Sequence, residues 1–290
     1  MRLACIDVGS NTTRLLVAES IPGGIRDLRN ERAFTLIGRS IASDGSIPSE
    51  KIEETAATVA AQAARARELG AESVRAVATA AIRRAANAAD LSRAVEREAS
   101  LQLEVLGGDE EARLAYRGAA HVLGGSGTLA VVDVGGGSTE IAFGDADGRI
   151  EFATSVEVGS SLLAERHFAN DPPGDLEIEE ARAEVRRAFE TLEPRAVDRA
   201  VAIGGSASSL QHLAGGELGE EEMGEALHVL RGDSTWEVAK RLELDPERVR
   251  LLPAGLLVLE EVSRRLQRRL RICKGGLREG VILEMIRRSD

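Results

Sequence analysis

Asp133 stands just before a run of glycines, Gly135–Gly137, and two hydroxyl residues, Ser138 and Thr139. The apolar residues that precede Asp133 predict a strand that ends there, and the residues after Thr139 predict a second strand. Glycines allow a turn whose backbone N–H groups converge on a phosphate, and a carboxylate beside the turn can hold the magnesium ion that shares the phosphate charge. A P-loop is excluded, because the segment has no Gly-Lys-Ser/Thr and a strand rather than a helix is predicted to follow.

The same pattern occurs twice in the chain, and the two copies are 126 positions apart (133 − 7 = 126). Asp7 corresponds to Asp133 and Gly9 to Gly135, and the hydroxyl residues after the two turns coincide as well. An internal repeat of a phosphate-binding hairpin predicts two similar halves that face one nucleotide or phosphate-chain ligand. Two ordinary glycine turns would be a simpler explanation, but the shared position of the two aspartates argues against it.

The composition narrows the classes of function. A chain of 290 residues is long enough for about two domains. Its net charge of −11, from 37 basic and 48 acidic residues, argues against a nucleic-acid partner, which requires a positive surface. A polyanionic substrate would therefore need local basic residues or a metal ion. The sequence has no apolar run long enough to cross a membrane, so no membrane partner is expected either.

Cys5 and Cys273 are the only cysteines, and both lie in apolar, strand-like sequence. Their number and spacing fit neither a disulfide framework nor a zinc site. The first residues already form the predicted strand that carries Asp7, so they do not resemble a signal peptide. We therefore expect two buried, reduced thiols in a cytoplasmic protein.

Strands and helices alternate along the chain, which predicts an α/β fold of two pseudo-repeated domains with a cleft between them. The alanine-rich residues 48–69 predict a long helix, and Asp109 predicts the N-cap of another helix. The apolar residues 199–203 predict a strand that runs into Gly204–Ser206. This would be a third glycine-rich strand end, where a base or a further phosphate could bind.

The glycine-rich residues 124–127 predict a linker between the two domains. We expect the first domain to span residues 1–124 and the second domain to span residues 125–290. The C-terminal helix, at about residues 277–290, could pack back on the first domain.

Together these motifs resemble the exopolyphosphatase and guanosine pentaphosphate phosphatase (Ppx/GppA) family, in its short two-domain form. The hairpins alone would indicate only the superfamily of actin, sugar kinases and Hsp70, whereas EEARLAY and GGLREG resemble this family in particular. The resemblance covers nearly the whole chain and implies actin-like, ribonuclease H-like domains. The matching segments, in chain order, are IDVGSNTTRLLVAE, TAAIRRAAN, GGDEEARLAYRGA, VVDVGGGSTEIAFG, VEVGSSLLAERHF, AIGGSASSL, LLPAGLLVLEEV and GGLREGVILEM.

The resemblance implies hydrolysis of the terminal phosphoanhydride of inorganic polyphosphate, of guanosine pentaphosphate (pppGpp) or of both, with Mg²⁺ or another divalent cation. Glu111 matches the carboxylate that orients or deprotonates the attacking water. One carboxylate is enough for this role, because phosphoryl transfer needs mainly positioning and charge neutralisation. Arg83 matches the arginine of the family's loop after the third strand region, where it would clamp a phosphate, and Glu140 matches a residue near the metal and the water. The other matching residues are the metal ligands Asp7 and Asp133 and the phosphate-binding residues Ser10, Asn11, Thr12, Gly136, Gly137, Ser138, Gly204, Gly205 and Ser206.

Several of these residues have simpler explanations. Glu110 and Glu111 could both serve only to favour the first turn of a helix through its dipole; the resemblance favours catalysis for Glu111 and the dipole for Glu110. Arg84 could be the functional arginine instead of Arg83, or both could be solvated charges at the start of a helix. Glu140 could be an exposed strand residue.

The chain departs from the family pattern at Leu162, where relatives usually carry an arginine, so one contact to a phosphate chain could be missing. Two other functions therefore stay open, an ATP-dependent small-molecule kinase of the same superfamily and a non-catalytic alarmone- or nucleotide-binding protein. Polyphosphate and pppGpp both stay candidate substrates, because each presents the same terminal phosphoanhydride. A homodimer is plausible by analogy with the family.

Overall fold

The computed structural model describes residues 1–41, 43–193 and 195–289, and the chain forms two compact units. The first unit contains Met1–His121 and the C-terminal segment from Gly275, and the second contains Val122–Lys274. Asp290, the last residue of the predicted second domain, lies outside the described residues. Among the described helices, none has both the length and the apolar character that crossing a membrane would require.

Strands and helices alternate as predicted. In chain order the elements are β1 (Arg2–Val8), β2 (Thr12–Ile21), β3 (Gly24–Phe34), a 3₁₀ turn (Ile37–Ser40), α1 (Ser49–Glu68), β4 (Ser73–Ala78), α2 (Ala80–Arg84), α3 (Ala88–Ala99), β5 (Leu103–Val105), α4 (Gly108–Leu123), β6 (Thr128–Val134), β7 (Thr139–Asp145), β8 (Ile150–Val156), α5 (Ser160–His167), α6 (Asp175–Ala188), β9 (Arg199–Ile203), α7 (Gly204–Ala214), β10 (Glu217–Leu218), α8 (Glu220–Gly232), α9 (Thr235–Leu242), α10 (Pro246–Val249), α11 (Leu252–Leu266), β11 (Leu270–Ile272) and α12 (Leu277–Ser289).

Each unit contains one mixed sheet, and the two sheets share a topology. The strand order is β3-β2-β1-β4-β5 in the first sheet and β10-β11-β9-β6-β7-β8 in the second. The strands β1 and β6 each pair antiparallel with the next strand in the chain, β2 or β7, and parallel with a strand that follows a helix, β4 or β9. The strands β1 and β6 have the same length and are 126 positions apart (128 − 2 = 126). The repeat predicted from the sequence is therefore confirmed as a pair of equivalent strands.

The alternation of side chains along β1 places its aspartate. Ala4 and Ile6 pack in the core formed with α1 and α3, on one face of the first sheet. Leu3 and Cys5 pack on the other face, in the core formed with α4 and α12. Successive strand residues point to opposite faces, so Asp7 belongs to the α4 and α12 face, at the carboxyl end of the strand.

Glycines allow α4 and α12 to touch through their backbones. A Cβ atom at Gly118 would lie 2.0 Å from the carbonyl oxygen of Gly276, and one at Gly280 would lie 1.9 Å from that of Leu114. No side chain fits at either contact, so the two helices are held in one relative position. This matters for the candidate site, because α4 carries Glu111 near its first turn.

A large hydrophobic cluster of the second unit lies on one face of its sheet, against helices α5, α6, α7, α8, α9 and α11. Alternate residues of β6 and β7 contribute to it, and the residues between them, such as Leu129 and Val131, are buried on the opposite face. The residues at the centre of this core include Val132, Val134, Ile141, Phe143, Leu163, Ile178, Phe189, Leu210, Leu257 and Val262.

Three local predictions were wrong. Asp109 is not an N-cap, because α4 begins one residue earlier, at Gly108; the aspartate lies in the first turn, where its charge still interacts favourably with the helix dipole. Arg83 lies in a short helix, α2, rather than in a loop after β4. Cys273 is only half-buried, because β11 ends before it, whereas Cys5 is buried as predicted.

We expect Gly280→Ala to destabilise the protein by about 1–3 kcal/mol, the usual cost of extra atoms in a packed contact. The added methyl group would lie 1.9 Å from the Leu114 carbonyl oxygen, so α4 and α12 would have to separate. Gly224→Ala is the matched control, because Gly224 lies inside α8 with no atom within 4 Å of an added Cβ. Since alanine favours helix over glycine, the control should be neutral or stabilising in urea unfolding. Equal midpoints for the two variants would contradict this prediction.

Candidate functional site

The predicted residues of the first unit gather at one edge of its sheet. The strands β1, β4 and β5 are parallel, so their carboxyl ends lie at the same edge, which is where ligands bind in sheets of this kind. Asp7 lies near the end of β1, the helix with Arg83 follows β4, and the helix with Glu111 follows β5. The fold therefore brings together residues that are far apart in sequence.

The turn between β1 and β2 is held by backbone hydrogen bonds. The N–H of Gly9 donates to the carbonyl oxygen of Thr12 across the turn, at 3.0 Å. The carbonyl oxygens of Ser10 and Asn11 accept hydrogen bonds from the backbone of the segment 36–38, at 2.8 and 2.9 Å. With its carbonyl groups bonded in this way, the turn has a fixed shape.

Asp7 is the predicted metal ligand of this unit. Its Oδ1 atom is buried, and no hydrogen-bond partner for it occurs among the described residues. Burial raises the pKa of the Asp7 carboxyl above its ordinary value, and the positive charges of Arg278 and Arg14 oppose that rise. A buried carboxylate oxygen without a hydrogen-bond donor is costly unless a cation binds it, so this atom fits a metal ligand.

Glu111 is buried, with 8% of its surface exposed, and is held by an arginine. The Nη1 of Arg83 donates to Glu111 Oε2 and to the carbonyl oxygen of Leu106, at 2.9 Å each. Burial of a carboxylate is expensive, and this ion pair offsets the cost while it fixes the direction of the carboxylate. The neighbouring residues Glu110 and Arg84 are both exposed. Of the adjacent candidates, Glu111 and Arg83 are therefore the two that the fold brings into contact.

The hairpin of the second unit repeats the first. The N–H of Gly135 donates to the carbonyl oxygen of Ser138 at 3.0 Å, which is the equivalent of the bond that closes the first turn. Glu140 lies opposite Asp133 in the β6–β7 register and has only 3% of its surface exposed. Its Oε1 accepts hydrogen bonds from the hydroxyl groups of Ser138 and Ser155, at 2.6 and 2.7 Å. The alternative that Glu140 is an exposed strand residue is therefore wrong.

The start of α5 supports this second turn. The N–H groups of Ser160, Ser161 and Leu162 donate to carbonyl oxygens of the glycine turn, at 2.9, 2.9 and 3.1 Å. Gly159 packs so tightly that an added Cβ would lie 2.6 Å from the carbonyl carbon of Gly136. Leu162 thus contacts the turn through its backbone, although its side chain supplies no positive charge where the resemblance implies an arginine.

The third glycine-rich segment lies against the aspartate of the second hairpin. Gly204 begins α7 with a φ of +86°, and an added Cβ would lie 2.1 Å from Asp133 Oδ1. The hydroxyl group of Ser206 lies 3.5 Å from the carbonyl oxygen of Val134. The strands β6 and β9 are parallel neighbours, so Asp133, the turn after it and residues 204–206 share one edge of the sheet.

Three further polar residues lie beside the predicted ones. Ser155 is across from Glu140 in the β7–β8 register, and a serine on a strand carries no sequence signal of its own. Arg248 Nη1 donates to the carbonyl oxygen of Gly205 at 3.1 Å. Arg278 lies in the GGLREG segment, so the resemblance pointed to its neighbourhood but assigned it no role.

The residues at each edge fit a magnesium ion bound through few protein ligands. The described residues contain no group of three or more His, Cys, Asp and Glu side chains that could hold a metal. Mg²⁺ commonly uses one or two carboxylates and takes its remaining ligands from water and substrate phosphates. Asp7, with its unbonded Oδ1, and Asp133 are the carboxylates in the right chemical setting for that arrangement.

Comparison with known proteins identifies a matching family and several similar structures. A sequence model of the Ppx/GppA phosphatase family matches residues 16–289. A solved Aquifex aeolicus PPX-GPPA enzyme is 30% identical to this chain, with a TM-score of 0.83 and coverage of 98% of this chain and 99% of that one. A solved exopolyphosphatase-like protein is 25% identical, with a TM-score of 0.90 and coverage of 99% and 98%.

An exopolyphosphatase from Cytophaga hutchinsonii is 21% identical, with a TM-score of 0.85 and coverage of 99% of this chain and 98% of that chain. At this identity the likeness shows the fold alone. The predicted fold class, α/β with two pseudo-repeated domains, is confirmed by these structures and by the shared topology of the two sheets.

We expect Gly159→Ala to lower phosphatase activity at least about tenfold, because loss of turn geometry removes substrate positioning. The added methyl group would lie 2.6 Å from both the Gly136 carbonyl carbon and the Ser138 amide nitrogen, so the turn would have to move. Gly216→Ala is the control in the same unit, since no atom lies within 4 Å of an added Cβ there. Phosphate release and thermal unfolding should be measured for both. Unchanged activity in a folded Gly159→Ala protein would disprove the supporting role of α5.

Proposed function

The chain belongs to the Ppx/GppA phosphatase family, and we propose that it releases orthophosphate from the terminal phosphoanhydride of polyphosphate or pppGpp. The observation that carries this proposal is the buried Glu111 carboxylate, held by Arg83 at the carboxyl edge of the first sheet. A carboxylate fixed in this way can accept a proton from water and direct the water at phosphorus.

Glu111 has the role of aiming the attacking water. Arg83 holds the Oε2 atom, and we assign the carboxylate to the water. The transferred phosphoryl group needs little covalent help, so most of the catalytic effect would come from position and charge neutralisation. Arg83 therefore acts first on the glutamate, and we assign its remaining N–H groups to a substrate phosphate, as the resemblance implies.

The glycine turns have the role of binding phosphate oxygens. Backbone N–H groups of Ser10, Asn11 and Thr12 in one turn and of Gly136 and Gly137 in the other would donate to these oxygens. In the second turn, Glu140 accepts a hydrogen bond from the Ser138 hydroxyl group and so holds that residue in position. The α7 segment with Gly204, Gly205 and Ser206 adds a helix N-terminus, which favours a further phosphate or a ribose phosphate.

Asp7 and Asp133 are the residues that we assign to Mg²⁺ or another divalent cation. The bound ion would neutralise negative charge on the phosphate oxygens. Without it, the net charge of −11 on the protein would repel the anionic substrate. The two aspartates occupy equivalent positions in the two hairpins and differ in what surrounds them. Asp7 lies near arginines, and Asp133 lies opposite Glu140.

A second candidate is a non-catalytic protein that binds pppGpp. The uncharged Leu162 favours it, because a missing phosphate contact would weaken positioning of the terminal group. A kinase of the same superfamily would instead consume ATP and require an acceptor.

We expect Mg²⁺-dependent orthophosphate release from polyphosphate or pppGpp and little release from ATP. The assay compares polyphosphate of several chain lengths, pppGpp and ATP, each with Mg²⁺ and with excess EDTA. Release that persists in EDTA would refute the role of the metal. Binding of pppGpp without turnover would favour the non-catalytic alternative, and no release from any of these compounds would overturn the proposed function.

We expect Glu111→Gln to lower kcat about 10²- to 10⁴-fold, the usual contribution of a general base, with a smaller change in KM. Glutamine keeps the size of the side chain but does not accept the proton. Glu110→Gln is the matched control, because this neighbour on the same helix turn is exposed and should leave kcat within about twofold. A Glu111→Gln enzyme with a near-native kcat would eliminate this residue as the base.

A further inference from the structure

Arg278 is unusual for an arginine because it is buried, with 6% of its surface exposed. It is the one arginine or lysine classed as buried in the part of the chain that the structure describes. Its Nη1 donates to the carbonyl oxygen of Leu15 on β2 at 3.2 Å and to Oδ1 of Asn30 on β3 at 2.9 Å. Buried arginines are expensive and persist where the charge or the fixed hydrogen-bond geometry has a use.

These two hydrogen bonds connect helix α12 to the hairpin strands beside the phosphate turn. Leu15 pairs with Ile6 in the β1–β2 register, one residue before Asp7. Asp7 projects to the face of the sheet on which α12 packs, and the Arg278 charge acts on it. The guanidinium group therefore holds the helix to the hairpin next to the predicted metal ligand.

On its other side, α12 is fixed to the helix that carries Glu111. Gly276 and Gly280 flank Arg278 in the sequence, and they contact the backbone of α4 at Gly118 and Leu114. Leu114 lies three positions after Glu111, which is less than one helical turn. The segment from Gly276 to Gly280 thus touches the hairpin through an arginine and the Glu111 helix through two glycines.

We propose that Arg278 is a positioning residue for the phosphatase reaction, which sets the place of Glu111 relative to the turn between β1 and β2. The proposal rests on the proposed function, because it takes Glu111 as the group that aims the water. Arg278 acts through α12 and α4 and does not contact the substrate. Small displacements of a catalytic group lower the rate of the chemical step strongly, so the consequence of losing Arg278 falls on kcat.

The test compares Arg278→Gln with Arg75→Gln. Arg75 also connects α12 to the sheet, through an ion pair with Glu284 at 2.6 Å, but six residues further along the helix. We expect both variants to lose thermal stability, and only Arg278→Gln to lose kcat, by about tenfold, with KM within about twofold. Arg278→Lys, which keeps the charge but not the forked donors, should lose about threefold in kcat. Equal kcat losses in Arg278→Gln and Arg75→Gln would overturn the proposal, because they would indicate general helix docking.

A double-mutant cycle gives a readout that a purely structural role would not move. In the Glu111→Gln background, Arg278→Gln should cause no further loss of kcat, because its effect is transmitted through Glu111. An additive tenfold loss would overturn the proposal. If Arg278→Gln does not fold, Asn30→Ala removes an acceptor of the same guanidinium from an exposed strand position and should lower kcat about threefold. A native kcat in folded Asn30→Ala would then refute the positioning role.

The substrate for all variants is polyphosphate or pppGpp, whichever the wild-type protein hydrolyses. A native rate for Glu111→Gln would show that the proposed function is wrong. Loss of that rate together with native kcat for Arg278→Gln would refute only the positioning role. The two failures are therefore distinguishable.

Discussion

The cost of burying a carboxylate is the constraint on which both candidate sites depend. Glu111 and Glu140 are buried and Asp7 has a buried Oδ1 atom, and all three lie at the sheet edges where the parallel strands end. An ionised carboxylate without partners would be several kcal/mol too expensive there. Different groups stabilise each carboxylate: Arg83 forms an ion pair with Glu111, two serine hydroxyl groups donate hydrogen bonds to Glu140, and the positive charges of arginines act on Asp7.

A buried ion pair is not by itself a sign of chemistry. Glu261 on α11 is also buried, and Arg264 and Arg265 bind it at 2.7 and 2.6 Å on the helix that forms the core of the second unit. This cluster lies away from the strand ends, and the two arginines are three and four residues after Glu261 on the same helix. The pair of Arg83 and Glu111 instead joins two helices that follow neighbouring strands. Its position at the sheet edge, not its charge, distinguishes it.

The sequence predicted what depends on local pattern and on repetition. The equivalence of Asp7 and Asp133 followed from a shift along the chain, and the structure places the two residues at equivalent points of equivalent strands. The contact between Arg83 and Glu111 was not predictable in this way, because the two residues are 28 positions apart and their meeting depends on β4 and β5 being neighbours. The resemblance supplied the identity of both residues but not the bond between them.

Close backbone contacts were the least predictable part of the site. Gly159 appears in the sequence as one glycine before a helix, yet its role is to let that helix lie against the second turn. The same holds for Gly276 and Gly280, whose spacing makes sense only when α4 lies beside them. Ser155 gave no signal at all, because its contact with Glu140 depends on strand register, which sequence patterns specify only through alternation.

The two hairpins also show how a repeated scaffold can acquire unequal chemistry. Asp7 pairs across the strands with Arg14, whereas Asp133 pairs with Glu140 at the equivalent position. The backbone bond that closes each turn is the same, at 3.0 Å in both, so the two aspartates stand beside turns that are closed in the same way. The cation opposite Asp7 favours the ionised form of its carboxyl, whereas the carboxylate opposite Asp133 adds negative charge there. One difference in register therefore gives the two copies of the hairpin different electrostatic surroundings.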